Sequence, residues 1–233
     1  MNVPHTPEQL EALRRLDACT LANAIETFQV RLRNEGFAAG APRCLFPRLP
    51  SMVGYAATIK IRGSSPPSSG GATYIEQTDW WDYILSLPAP RIVVVQDVSS
   101  SPGRGALLGE VHVNILRALG CIGAVTDGAV RDLPAVENLG FHFFAASLSV
   151  SHAYVHIVET GEPVQIAGLT VGSGDLIHGD IHGVQTVPHE LVSALPGTAE
   201  KIISRERALI ALARTPGLPL ETLRAAVAGK RPA

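Results

Sequence analysis

Apolar and polar positions alternate in three different regimes along the chain. At the start, Thr6-Pro7-Glu8-Gln9 has the form of a capping box with proline at the first helical position, so it predicts a helix. Asp17 or Thr20 then caps a second helix running to about Thr27. Residues 31–52 are rich in Arg, Gly and Pro and predict a loop, followed by a strand at Tyr55–Ile61. Gly63 to Gly71 is a run of Gly, Ser and Pro that predicts a mobile loop able to fold over a ligand.

From residue 72 the pattern becomes one of strands alternating with helices. Tyr74 to Leu87 predicts a helix, the continuous apolar run Ile92–Val98 a strand, and Ala106–Leu119 a helix. Ile122–Thr126 predicts a strand, Leu133–Leu139 a short helix and Phe141–Ala146 a third strand. Such alternation predicts parallel pairing with helices over the sheet. Residues 154–187 change regime. Short strands separated by Thr160-Gly161-Glu162-Pro163, Ala167-Gly168 and Gly172-Ser173-Gly174-Asp175 predict an antiparallel or mixed β layer, with His152 and His156 read as strand residues. A helical tail over 189–213, broken at Pro196-Gly197, and a last helix at Leu220–Ala228 complete the chain. The fold class is therefore α/β, with mixed parallel and antiparallel β layers flanked by helices.

Composition narrows the functions. A chain of 233 residues, 46% hydrophobic and 17% charged, has the makings of a compact core. Its net charge of −2 and lack of a basic stripe predict no nucleic-acid partner. Its longest apolar runs have strand length, and Met1-Asn2-Val3-Pro4-His5 lacks a signal-peptide pattern, so the expectation is a cytoplasmic protein with no membrane span. Cys19, Cys44 and Cys121, widely spaced and odd in number, are expected to be reduced thiols. Only Lys60, Lys201 and Lys230 represent lysine, and none sits in an evident pocket pattern. That argues against a Schiff-base aldolase, which needs a buried lysine nucleophile.

The candidate chemistry lies in Gly109-Glu110 and Asp127-Gly128-Ala129-Val130-Arg131-Asp132. A helix N-terminus at Gly109 would offer free N–H groups and a positive dipole end to a substrate carboxylate. Arg131 would clamp the same anion, and Asp132 would hold a hard divalent cation beside it. Asp127-Gly128 and Arg131-Asp132 form a predicted turn where a strand runs into a helix, at the carboxyl end where α/β sheets bind ligands, and the turn after Val98 lies at the equivalent end of a neighbouring strand. Gly103-Arg104-Gly105 through Gly109 resembles a dinucleotide fingerprint in content only, because Asp97 to Pro102 separates it from its strand and the last glycine comes one residue late. In His178-Gly179-Asp180-Ile181-His182 the alternate residues would share a strand face, which suits a metal. The glycines make a turn between strands the favoured reading, and the role of His178, Asp180 and His182 stays open.

Ala106 to Glu110, Gly123 to Asp132, Gly174-Asp175, Asp180 to Val184 and Val187-Pro188 resemble the 4-hydroxy-4-methyl-2-oxoglutarate aldolase/RraA-like family over about residues 10–210. The resemblance implies a single swivelling β/β/α domain over 1–233, with N-terminal helices in 1–30 and a helical tail over 189–233. It also implies a homotrimer or homohexamer. Family enzymes are class II pyruvate aldolases that also decarboxylate oxaloacetate; other members are regulators that inhibit ribonuclease E. Carried over by position, the backbone of Gly109, Glu110, Val111 and His112 would bind the carboxylate of a small 2-oxo acid. Arg131 would face the keto oxygen and developing enolate, and Asp132 would ligate Mg²⁺ or Mn²⁺. Glu110 stands where family enzymes often have aspartate, to contact water on the metal. The implied reaction is retro-aldol cleavage of a 4-hydroxy-2-oxo dicarboxylate to pyruvate. The alternative is a non-catalytic regulator that binds a ribonuclease or another protein.

Overall fold

The structure, a computed structural model, describes residues 4–67 and 78–229. Most of the predicted Gly/Ser/Pro loop and the start of the helix predicted from Tyr74 lie outside the described residues. The capping box forms as expected. Thr6 Oγ1 accepts the Gln9 N–H at 3.3 Å, Gln9 Oε1 accepts the Thr6 N–H at 2.9 Å, and α1 runs Pro7–Arg14. Asp17, rather than Thr20, caps α2 (Ala18–Glu26): its Oδ1 accepts the Thr20 N–H at 2.8 Å.

The remaining elements are β1 (Arg43–Cys44), β2 (Met52–Arg62), α3 (Asp79–Ser86), β3 (Arg91–Asp97), β4 (Ala106–Leu108), α4 (Glu110–Ala118), β5 (Cys121–Val130), α5 (Leu133–Asn138) and β6 (His142–Leu148). Then come β7 (His156–Thr160), β8 (Val164–Ile166), β9 (Leu169–Val171), β10 (Leu176–Asp180), β11 (Gly183–Val187), a 3₁₀ turn at His189–Leu191, α6 (Leu195–Ala213) and α7 (Leu220–Val227). One mixed sheet has the order β1-β6-β5-β3-β2-β10-β11, with β4 added to β5 and β7 to β2. Its centre, β2-β3-β5-β6, is parallel; β10, β11, β7 and β1 pair antiparallel.

The sheet curls until it is nearly a closed barrel. Segment 37–45 bridges its two edges: Ala38 N–H donates to Val184 O of β11 at 2.9 Å, and Leu45 N–H donates to Phe143 O of β6 at 2.9 Å. Inside, Met52, Ala56, Ile92, Val94, Val125 and Phe144 pack on one another, and the β8–β9 hairpin adds Val164, Ile166, Leu169 and Val171. Outside, the alternate strand residues Ala57, Ile59, Val93, Val95 and Ala124 meet α3, α4 and α5, while Val53 and Tyr55 meet α1, α2 and α6. Strands apolar on both faces are what continuous runs such as Ile92–Val95 produce.

Three expectations are corrected. Ala106-Leu107-Leu108 is a strand, not the first turn of a helix: all three side chains are buried, and Ala106 and Leu108 pair in parallel with Ala129 and Val130. Asp127-Gly128 is not a turn but the bulged middle of β5, where the register with β6 shifts between Thr126 and Ala129. Pro196-Gly197 does not break the tail; it lies in the first turn of α6, where proline's missing N–H has no helical partner to lose. His156 is a strand residue, whereas His152 precedes β7 in a loop.

The barrel interior predicts its own sensitivity. A Cβ on Gly179 of β10 would lie 2.9 Å from Cζ of Phe144, four strands away in sheet order. Gly179→Val should cost about 1–3 kcal/mol by overpacking, lowering Tm by about 2–4 °C for each of those kcal/mol. Phe144→Leu in the same chain should recover part of the loss. An unchanged Tm in the single variant would mean the two strands do not face each other across a filled interior.

Candidate active site

Parallel pairing of β4 with β5 brings the two predicted segments abreast. Arg131 N–H donates to Leu108 O at 3.0 Å, which continues the ladder to the point where both strands stop. Gly109 is the N-cap of α4, with extended backbone (φ −146°). Glycine is needed there for space: a Cβ would lie 2.5 Å from Asp132 Oδ2 and 2.9 Å from Arg131 Nε.

Asp132 adopts the left-handed conformation (φ 59°), which aspartate and asparagine tolerate better than most residues. Its Oδ2 accepts the Glu110 N–H at 2.9 Å and lies 3.4 Å from Arg131 Nε. A carboxylate on a helix N-terminus is favoured by both the open N–H groups and the dipole. Its Oδ1 has no protein partner among the described residues, and neither does the N–H of Val111. Arg131 and Asp132 side chains keep 28% and 39% of their surface. Glu110 and Val111 are exposed beside them.

Thus Gly109, Glu110, Arg131 and Asp132 meet at one point, with Val111 and His112 following in the first turn of α4. One detail departs from the expected carboxylate cradle: the Glu110 N–H is already bound by Asp132. His112 turns inward, only 3% exposed, with its ring 6.3 Å from that of Trp80. Burial, and then the Arg131 guanidinium, lower its pKa to about 4. The ring is therefore uncharged at neutral pH, and the positive field at this point comes from Arg131 and the helix end.

Asp127 is engaged elsewhere. Its Oδ1 accepts the Asp97 N–H at 2.7 Å. Sequence reasoning missed Asp97, whose buried carboxylate accepts Ser99 N–H at 3.0 Å and Gly103 N–H at 2.8 Å. These bonds pin the turn between β3 and β4, and so fix where β4 delivers Gly109. The available signal was an aspartate at the end of a predicted strand, ahead of a Ser/Pro/Gly run. Asp127 pays for its own burial with a pKa raised to about 6, helped by the nearby Asp97 charge.

The His178–His182 motif is a structural latch. His178 is fully buried with Nε2 3.0 Å from Leu16 O, Asp180 Oδ2 accepts the Ala18 N–H at 2.7 Å, and Asp180 Oδ1 accepts the His182 N–H at 2.8 Å. Opposite His178, Gln185 donates to Ala18 O at 2.8 Å. Together they hold the α1–α2 corner on β10 and β11. Among the described residues no group of three or more His, Cys, Asp or Glu side chains is placed to hold a metal ion. Lys60 pairs with Glu159 and Lys201 is exposed on α6, while Lys230 lies outside the described residues. No described helix is long and apolar enough to cross a membrane.

Comparison with known proteins agrees with this architecture. The RraA-like family, described as Aldolase/RraA, matches residues 18–185. A protein of Halalkalibacterium halodurans named "Putative 4-hydroxy-4-methyl-2-oxoglutarate aldolase" is 28% identical over 151 residues, 62% of this chain and 71% of that protein. Among solved structures, an uncharacterized protein from Pseudomonas syringae superposes with a TM-score of 0.72 at 23% identity, covering 95% of both chains. RraAS2 of Streptomyces coelicolor, described as an unusual member of the RNase ES inhibitor RraA protein family, superposes at 0.69 with 21% identity. That match covers 89% of this chain and 98% of RraAS2. At these identities the structural likeness establishes the fold.

The Asp97–Asp127 contact predicts a pH dependence. Because the folded pKa of Asp127 is raised from 3.8 to about 6, the folded chain keeps a proton that the unfolded chain releases between those values. Stability from this group is therefore complete below about pH 4 and lost as pH rises through 6. Asp127→Asn keeps an acceptor for the Asp97 N–H and removes the charge. It should raise stability above pH 7 by on the order of 1 kcal/mol after discounting for solvent around a half-buried group, and by less at pH 4. Denaturant melts of both proteins at pH 4, 6 and 8 check this; a difference independent of pH would refute it.

Proposed function

The chain belongs to the RraA-like family, and on that premise we propose that it is a divalent-metal-dependent lyase that cleaves a 4-hydroxy-2-oxo dicarboxylate, of the 4-hydroxy-4-methyl-2-oxoglutarate type, to pyruvate. Oxaloacetate decarboxylation would be a side activity. The observation that carries this reading is the convergence of an open helix start, a partly exposed guanidinium and a carboxylate with one unused oxygen.

The residues fit a hard cation. Asp132 Oδ1 is an unspent oxygen donor, and a single protein carboxylate suits Mg²⁺ or Mn²⁺, which keep several waters. When bound at Asp132, the ion would supply electrophilic polarisation of the 2-keto oxygen. Arg131 would face the same oxygen, and the α4 start, at the N–H of Val111 and its neighbours, would hold the C1 carboxylate. As the C3–C4 bond breaks, its electron pair moves into C3–C2 and the keto oxygen, and the 4-hydroxyl proton leaves as C4 becomes a carbonyl. Glu110, exposed at the first position of α4, would receive that proton through solvent. Arg131 stabilises the pyruvate enolate electrostatically until C3 is protonated, with no covalent adduct. In oxaloacetate the same enolate forms by loss of CO₂.

A homotrimer or homohexamer is part of the proposal. Within one chain α7 buries no residue and leaves Leu220 and Val227 exposed, which suits a helix that packs in an assembly. A regulator that binds a ribonuclease is the competing reading, and RraAS2 carries that description for itself.

Pyruvate release from 4-hydroxy-4-methyl-2-oxoglutarate and from oxaloacetate, with Mg²⁺ and with EDTA, separates the two. No metal-dependent turnover on either substrate would favour the regulator. Asp132→Asn is the informative metal variant, because asparagine still accepts the Glu110 N–H and tolerates a left-handed backbone. It should retain Tm while kcat falls by about a hundredfold or more; unchanged kcat at saturating Mg²⁺ would remove Asp132 from the ligand set.

Arg131→Lys replaces a planar fork with a point charge. It should lower kcat by on the order of a hundredfold, about 3 kcal/mol, and weaken inhibition by pyruvate, with little change in Tm. A near-normal kcat, or a drop in Tm with kinetics preserved in the folded fraction, would make Arg131 structural.

A further inference from the structure

A cavity lies at the end of the barrel opposite the candidate site. Tyr55 pairs with Arg91 at the start of β3, which pairs with Cys121 at the start of β5, nine residues before Val130. At about 3.3 Å per residue that is roughly 25–30 Å from the α4 start. The cavity has a volume of about 610 Å³ and lies between the end of α3, β2 and the loop before β10. That is the size of a small-molecule site.

Its walls combine aromatic rings with a single charge. Tyr55, Tyr83 and His189 line it together with Leu87, Ser173 and Asp175; no Lys or Arg does so among the described residues. The rings are held in place. Tyr83 Oη accepts the Thr58 N–H at 3.0 Å and lies 2.7 Å from Ser173 Oγ. Tyr55 Oη accepts the His5 N–H at 2.7 Å. His189 Nε2 lies 3.2 Å from Gly174 O and its Nδ1 lies 2.9 Å from His5 Nε2. A carbonyl only accepts, so Nε2 of His189 carries a hydrogen and donates it to Gly174 O. The His189 ring is within 17° of parallel to Tyr55. Asp175 spends Oδ2 on the Gly172 N–H at 2.8 Å, and its Oδ1 has no protein partner among the described residues.

We propose that this cavity binds a small organic cation, an ammonium group on an aromatic or apolar body. Tyr55 is buried in a stack with His5 and His189, so the ring open to a cation is the partly buried Tyr83. The free Asp175 oxygen accepts a charge-assisted hydrogen bond from the ammonium group, and Leu87 and Pro88 cover the apolar part. An anion would meet Asp175 with no Lys or Arg among the described lining residues to offset it. This chemistry is opposite to that of the α4 start, where Arg131 and the helix end favour anions, so the cavity is not a second place for the 2-oxo acid.

The test uses three probes of one shape, benzylammonium, benzyl alcohol and benzoate, titrated into the full chain by calorimetry. Benzylammonium should bind about tenfold or more tighter than either of the others. Asp175→Asn keeps the acceptor for the Gly172 N–H and should erase that preference with Tm unchanged. Leu87→Trp, which narrows the cavity and leaves its charge, should weaken benzylammonium as well, so the result does not rest on one variant. Benzoate binding as tightly as benzylammonium would overturn the proposal. So would no saturable benzylammonium binding at millimolar concentration, or a preference that survives Asp175→Asn.

Discussion

One hydrogen bond joins the two halves of the candidate site. Asp132 Oδ2 accepts the Glu110 N–H, tying the end of β5 to the start of α4. Glycine at 109 leaves room for it, since a Cβ there would lie 2.5 Å from that oxygen and force the Asp132 side chain to shift. The bond satisfies one of the donors a helix start leaves open and places a negative charge on the positive end of the dipole. It also turns Asp132 so that its other oxygen is unused, with Arg131 alongside. Binding capacity and helix capping thus draw on the same carboxylate.

The remainder of the fold serves to deliver those few residues to one point. β4 is three residues long and would not persist alone. It is held by burial of Ala106, Leu107 and Leu108, by pairing with β5, and by the turn that Asp97 pins. The cost is electrostatic: burial of Asp127, reinforced by the nearby Asp97 charge, raises its proton affinity. The turn gains fixed geometry in return.

The two ends of the barrel have opposite chemistry for a topological reason. Parallel strands gather their carboxyl ends, and the helix starts that follow them, on one side, which favours anions there. The antiparallel strand β10 and the loop before it reach the other end. There Asp175 and the tyrosines meet no helix start and, among the described residues, no Lys or Arg lines the cavity.

Much of this was written in the linear sequence. Caps are local, so Thr6 and the Asp17/Thr20 pair announced their helices; continuous apolar runs announced buried strands; and Glu110, Arg131 and Asp132 could be singled out because their side-chain chemistry is intrinsic, with Gly109 marking a helix start. What neighbours decide was not legible. Ala106-Leu107-Leu108 has good helix formers and became a strand because β5 offered it a ladder and the core buried it on both sides. Asp127-Gly128 has turn chemistry and became a bulge because β3 and β6 hold it on either flank. His178 and Asp180 have metal-ligand chemistry, yet their hydrogen-bonding capacity goes largely to the α1–α2 corner, more than 150 residues away in sequence. Local propensities amount to less than about 1 kcal/mol per residue, whereas burying a side chain or leaving a buried polar group unpaired involves about 1–3 kcal/mol. Where the two disagreed, tertiary burial and pairing decided.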